Sequence, residues 1–173
     1  MHCPNRTNGG NVIMERTIPL TQKRFDELTE RLQMLKTTGK AEIALALKTA
    51  KEFGDLSENA EYTAAKDAQE KLEIEIYKTE EILSNAYPID VSTLSTKEVS
   101  VGNVVKVLYD GDDEEDAETY QILNRIEVDT ANNKISDESP LGAALMGKKK
   151  GEKVSFKAPG GRMISLTILN ISK

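Results

Sequence analysis

Tryptophan is absent from this 173-residue chain, and phenylalanine and tyrosine supply an aromatic share of only 5%. With 30% charged residues, that is thin material for one large globular core. It suits a chain that commits much of its length to a solvated, extended helical element. Cysteine and histidine occur once each, as Cys3 and His2. An intramolecular disulfide and a Cys/His zinc site are therefore both excluded. No apolar run approaches a membrane span, and the first residues lack the charged-then-apolar pattern of a secretory signal. No membrane association and a cytoplasmic location are expected. An excess of positive charge is missing too, since the formal net charge is −6. That argues against affinity built on wrapping the phosphates of duplex nucleic acid. A nucleic-acid role then needs a protein partner that supplies most of the binding surface.

Residues 1–13 carry Pro, Gly and Asn without any period, and Met14 directly precedes the first patterned segment. A disordered extension is expected there, with an upstream start codon and initiation at Met14 as the alternative. Residues 14–92 read as one unit. From Thr21, a fit N-cap, Phe25, Leu28, Leu32 and Leu35 recur at spacings of three and four. Thr37-Thr38-Gly39 is a weak point where a kink or short break is expected. The stripe resumes as Ile43, Leu47 and Ala50. A second helix is expected from about Leu56 to Ala86, with Ala65, Ala68, Leu72, Ile76 and Leu83 inward, ended by Tyr87-Pro88. Only Phe53-Gly54-Asp55 remains to turn the chain, so the helices must lie antiparallel as neighbours. The first would form a rod of roughly 45–50 Å. Its seam is wide enough for one partner helix, which makes a thin two-helix coiled coil.

Residues 93–173 change period. Residues 101–109, 119–128, 153–157 and 163–171 alternate as strands do, with Ala158-Pro-Gly-Gly161 as a turn. Residues 139–146 read as a short helix with Pro140 at its first position and Gly147 at its end. The acidic run 112–118 reads as a solvated hairpin loop. The fold class is thus α+β: an antiparallel helical hairpin, then a small antiparallel sheet with one short helix.

Chemistry concentrates in Gly54-Asp-Leu-Ser-Glu-Asn-Ala-Glu-Tyr62. Asp55 and Glu58 are three apart at the start of the second helix, so they share a face at the tip. A helix N-terminus favours negative charge, so both stay ionised at neutral pH. Two such carboxylates can bind one hard divalent ion, weakly by themselves, because Mg2+ keeps several waters and draws its remaining ligands from elsewhere. The same pair, with Asp55 as N-cap and Glu58 three residues on, is also a close variant of the capping box. Spacing leaves both readings open, and they are not exclusive. Lys51 and Lys66 flank the tip, either as ordinary solvated charges or as contacts for a phosphate backbone.

The stretch 54–62 followed by Ala64-Ala65-Lys66 resembles the tip of the bacterial GreA/GreB transcript-cleavage factors, nearest to the GreA branch. Leu83-Ser-Asn-Ala86, Ser139-Pro-Leu with Gly147-Lys148, and Ala158-Pro-Gly-Gly161 match in the same order. The resemblance implies a coiled-coil finger and an FKBP-like C-terminal domain that docks on RNA polymerase. It implies a factor, expected as a monomer, that is not itself an enzyme. Such a factor binds bacterial RNA polymerase at its secondary channel and stimulates endonucleolytic cleavage of the nascent RNA 3′ end in backtracked complexes. It further implies Asp55 and Glu58 as the catalytic acids that share a Mg2+ ion with the polymerase and orient water. Lys51 and Lys66 would contact RNA, where relatives commonly carry Arg. Glu138, Ser139 and Pro140 would dock on the channel rim. A peptidyl-prolyl isomerase is the rival suggested by the FKBP-like fold. It would need an aromatic-lined pocket, and residues 93–173 hold only Tyr109, Tyr120 and Phe156.

Overall fold

The computed structural model describes residues 17–52 and 60–173. Strand β1 (Ile18–Thr21) leads into helix α1 (Gln22–Met34). Thr21 caps α1 as its side chain accepts from the Arg24 amide at 3.3 Å. The expected break is instead one stretch of π-helix, Leu35–Gly39, which passes without interruption into α2 (Lys40–Glu52). Two features account for this. Thr37 Oγ1 donates back to the Gln33 carbonyl at 2.8 Å and so competes with the regular ladder. Gly39 also falls on the inward stripe, four residues from Leu35 and from Ile43, where a Cβ would come within 3.0 Å of Leu72 Cδ1. The missing side chain lets the helices close around Leu72, and the wider turn absorbs the change of register.

Helix α3 (Ala60–Asn85) packs antiparallel on α1 and α2. Leu28, Ala50, Ala65, Ile76 and Thr79 are buried, while Ala68, Leu72 and Leu83 are half-buried. Such a narrow seam is what a two-helix element can offer, since each helix has a single neighbour. The chain then enters β2 (Ala86–Ile89), which pairs in parallel with β1 from Ile18↔Ala86 to Thr21↔Ile89. This two-stranded ribbon ties the two ends of the hairpin together, and its own Leu20 and Ala86 are fully buried.

The second unit is a five-stranded sheet in the order β5-β4-β3-β7-β6. Its strands are β3 (Val104–Tyr109), β4 (Glu118–Leu123), β5 (Lys134–Ser136), β6 (Lys153–Lys157) and β7 (Met163–Ser172). The sheet is mixed rather than wholly antiparallel, because β5 runs parallel to β4. The strand expected over 119–128 stops at Leu123. Asn124 turns the chain by accepting from the Ile126 amide at 3.2 Å, opening a 3-10 turn over Arg125–Glu127. That turn and the next take the chain around so that residues 134–136 re-enter at the edge. Residues 112–117 of the acidic run lie in the loop between β3 and β4, as expected, whereas Glu118 is the first residue of β4. Helix α4 (Pro140–Leu145) covers the sheet and buries Leu145 against the core of Val105, Val107, Ile122, Leu166 and Ile168. The α+β class holds.

Candidate functional site

At the far end of the hairpin, small residues set the geometry. Ala50 in the last turn of α2 and Ala65 near the start of α3 are 2% and 7% exposed. Two alanines on the seam let the helix backbones approach closely just before the connection. Glu52 and Ala60 bound that connection, and residues 53–59 join them. Asp55 and Glu58, the two expected tip acids, lie outside the described residues. Lys51 and Lys66 are both exposed, one in the last turn of α2 and one in the second turn of α3. Lys51 sits where a cation is favoured by the carbonyl end of a helix. Lys66 Nζ makes one long contact to Gln69 Oε1 at 3.4 Å, which leaves the ammonium able to turn toward another partner. Among the described residues, no three His, Cys, Asp or Glu side chains gather as a metal set, and no helix is long and apolar enough to cross a membrane.

The other expected residues lie in the sheet domain. Ser139 is the N-cap of α4: its Oγ accepts from the Gly142 amide at 3.0 Å and donates to the Ser136 carbonyl at 2.6 Å. The Glu138 amide donates to Ser136 Oγ at 3.0 Å, so Glu138, Ser139 and Pro140 form one tight turn. Glu138 and Pro140 are exposed. Glu138 also borders a groove of about 440 Å³ between the hairpin base and the sheet domain, with Ile18, Glu81, Asn85 and Arg125. The structure therefore brings the three docking candidates together. It places Lys51 and Lys66 at the opposite end of α3, which from Lys66 to Asn85 spans about 30 Å of helix.

Local sequence does not single out Ile126 or Glu127 at the junction. The Thr21 amide donates to Glu127 Oε2 at 2.9 Å, and the Thr21 hydroxyl donates to Glu127 Oε1. A carboxylate from the sheet domain thus satisfies the first turn of α1. Beside it, Ile126 packs on the cluster of Leu20, Leu28 and Ala86. Lys23, Arg24 and Lys134 line the same cavity of about 340 Å³ as Glu127 and Asp129. The Asn132 amide 2.6 Å from Asp129 holds that carboxyl below its ordinary range. A partner 106 residues away leaves no signal in local spacing.

Two family models match the chain. Residues 18–87 match the family described as "Transcription elongation factor, N-terminal", and residues 94–173 match "Transcription elongation factor, GreA/GreB, C-term". The transcription elongation factor GreA of Thermoanaerobacter pseudethanolicus is 46% identical over 160 residues, covering 92% of this chain and 100% of that protein. The GreA of Macrococcus caseolyticus is 42% identical over 159 residues, covering 92% of this chain and 99% of that protein. Among solved structures, GreA factor homolog 1 of Thermus thermophilus aligns at 25% identity over 91% of this chain and 100% of that one, with a TM-score of 0.41.

Proposed function

This chain belongs to the GreA/GreB family of transcription elongation factors, and from that premise we propose that it rescues backtracked bacterial RNA polymerase by stimulating cleavage of the RNA 3′ end. The observation that supports this reading is the packing of α2 against α3 in a narrow rod, with Glu52 and Ala60 at one end and the β1–β2 ribbon at the other. A rod one helix pair wide can enter a channel that a globular domain cannot. The sheet domain stays at the channel mouth and docks through Glu138, Ser139 and Pro140. The protein acts in the cytoplasm as a monomer.

The donor set at the tip fits a hard divalent cation, since Asp55 and Glu58 offer two anionic oxygens and no softer ligand. Two ligands are too few for a stable site, so Mg2+ would be held jointly with the polymerase. Bound there, it would lower the pKa of a coordinated water and balance charge on the phosphate under attack. Asp55 and Glu58 would help to hold that ion and to orient or deprotonate the attacking water. Lys51 and Lys66 hold the extruded RNA by its phosphates. As point charges without the guanidinium fork, they grip it less specifically than arginines would. The nuclease activity belongs to the polymerase, and this chain alone leaves RNA intact.

The test uses stalled, backtracked elongation complexes incubated with the protein and Mg2+. Short 3′ RNA fragments are expected. Asp55→Ala or Glu58→Ala should abolish their release while the protein still binds polymerase. If the double variant cleaves as fast as the parent, the tip has no part in the chemistry.

A further inference from the structure

The contact between Thr21 and Glu127 is more than a helix cap. Thr21 opens the helical hairpin, and Glu127 belongs to the 3-10 turn that follows β4 within the sheet domain. The two hydrogen bonds between them join the two units through a charged acceptor and a backbone amide that α1 itself cannot satisfy. Ile126, the preceding residue, packs into the cluster under the β1–β2 ribbon and fixes the turn from its apolar side. Lys23, Arg24 and Lys134 border the same cavity together with Glu27 and Asp129, so its cations and carboxylates are balanced. Polar and apolar contacts from successive residues thus meet the base of a long lever.

We propose that Glu127 is a positioning residue: its carboxylate latches the helical hairpin at a set angle to the sheet domain, so that a factor docked by the sheet domain delivers its tip to one place. The inference rests on the proposed function for its consequence, though not for its existence. Its geometric leverage is large. Helix α3 alone extends about 39 Å, so a swing of about 10° at the latch moves the far end by about 7 Å. Proximity effects are lost over displacements of about 1 Å. A loosened base would therefore leave a docked factor with its tip aligned only part of the time, and the maximal rate scales with that aligned fraction.

The latch is tested first without polymerase. Spin labels on Lys71→Cys and Lys150→Cys, in a Cys3→Ser background, report the distance between hairpin and sheet domain in the full chain. Glu127→Ala should widen the distribution about twofold or more, whereas Glu127→Gln, which keeps an acceptor oxygen, should stay close to the parent. A Glu127→Ala distribution as narrow as the parent's overturns the proposal.

The second measurement is RNA cleavage by the unlabelled variants. Glu127→Ala should lower the rate at saturating factor about tenfold, or about 1.4 kcal/mol. Its half-saturating concentration should shift less than about threefold, because the docking surface is intact. Glu127→Gln should recover most of the rate. A widened distribution with an unchanged saturating rate overturns the positioning role. Failure of the parent protein to stimulate cleavage would instead overturn the proposed function, and the distance measurement alone would then decide whether the latch exists.

Discussion

Gly142 sits in α4 directly over the end of β5, and replacing it with alanine should be among the costliest single changes in the sheet domain. A Cβ there would lie 1.9 Å from the Ser136 carbonyl oxygen, 2.9 Å from its carbon and 3.0 Å from Ser139 Oγ. Carbon–oxygen contacts settle near about 3.3 Å, so backbone must part from backbone by more than about 1 Å. That displacement strains three hydrogen bonds at once: Ser139 Oγ to the Ser136 carbonyl, the Ser139 amide to the same carbonyl, and the Gly142 amide to Ser139 Oγ. Overpacking costs about 1–3 kcal/mol and a lost N-cap about 1 kcal/mol, which together suggest about 3 kcal/mol. For a domain of this size each kcal/mol lowers the melting midpoint by about 4–8 °C, so a drop of roughly 12–24 °C is expected. Differential scanning calorimetry of the full chain reads it. Gly160→Ala is the control, because nothing lies within 4 Å of its added methyl. A Gly142→Ala midpoint within about 2 °C of the parent would refute the argument. Because Ser139 and Pro140 ride on the displaced turn, the variant should also bind polymerase more weakly at temperatures where it remains folded.

Gly39→Ala should change hairpin stability by less than about 1 kcal/mol, since the added methyl meets only the flexible end of Leu72 while helix propensity improves. Gly39→Val should cost about 1–3 kcal/mol by urea unfolding, because a branched side chain cannot share that space. The Arg31–Glu75 and Lys36–Glu80 pairs are exposed, so Glu75→Gln should cost less than about 1 kcal/mol, and still less in about 1 M salt. Burial, the hydrogen bond to Glu118 and the neighbouring Tyr109 all push the Tyr120 phenol up from its ordinary value. The fold therefore favours its protonated form. That stability is fully present below about pH 10 and is lost as pH rises beyond it. Tyr120→Phe should flatten this alkaline loss in unfolding curves compared at about pH 8 and pH 11.

What local sequence can carry, it carried here. The stripe from Phe25 to Ala50 announced a helix facing one partner, and Ser139-Pro140 announced the start of α4, because caps and periods act over three or four residues. The pairing of β1 with β2 is not legible in the sequence, for the opposite reason. Four-residue strands show too little alternation, and their partners are 68 positions apart. Strand β5 has three residues and a parallel neighbour, so no hairpin turn marked it. The weak point at Thr37–Gly39 was legible, but its resolution as a π-helix depended on Leu72 arriving from the other helix. Among the candidate site residues, Lys51, Lys66 and the turn at Glu138–Pro140 could be named from motif alone. Glu127 could not, because only the closed chain brings it to Thr21.

The parallel ribbon of β1 and β2 also bears on the order in which the chain folds. Its crossover is the whole hairpin, residues 22–85, so pairing the strands first would mean closing a long flexible loop with only a few hydrogen bonds in return. Helix contacts at the tip are between near neighbours in sequence and form with little loss of chain freedom. Once α2 and α3 zip from Ala50 and Ala65 downward, the ends at Thr21 and Ala86 are carried into register and the ribbon closes as a short-range event. Changes near the tip should then slow folding of the hairpin, while changes in the ribbon should mainly speed its unfolding.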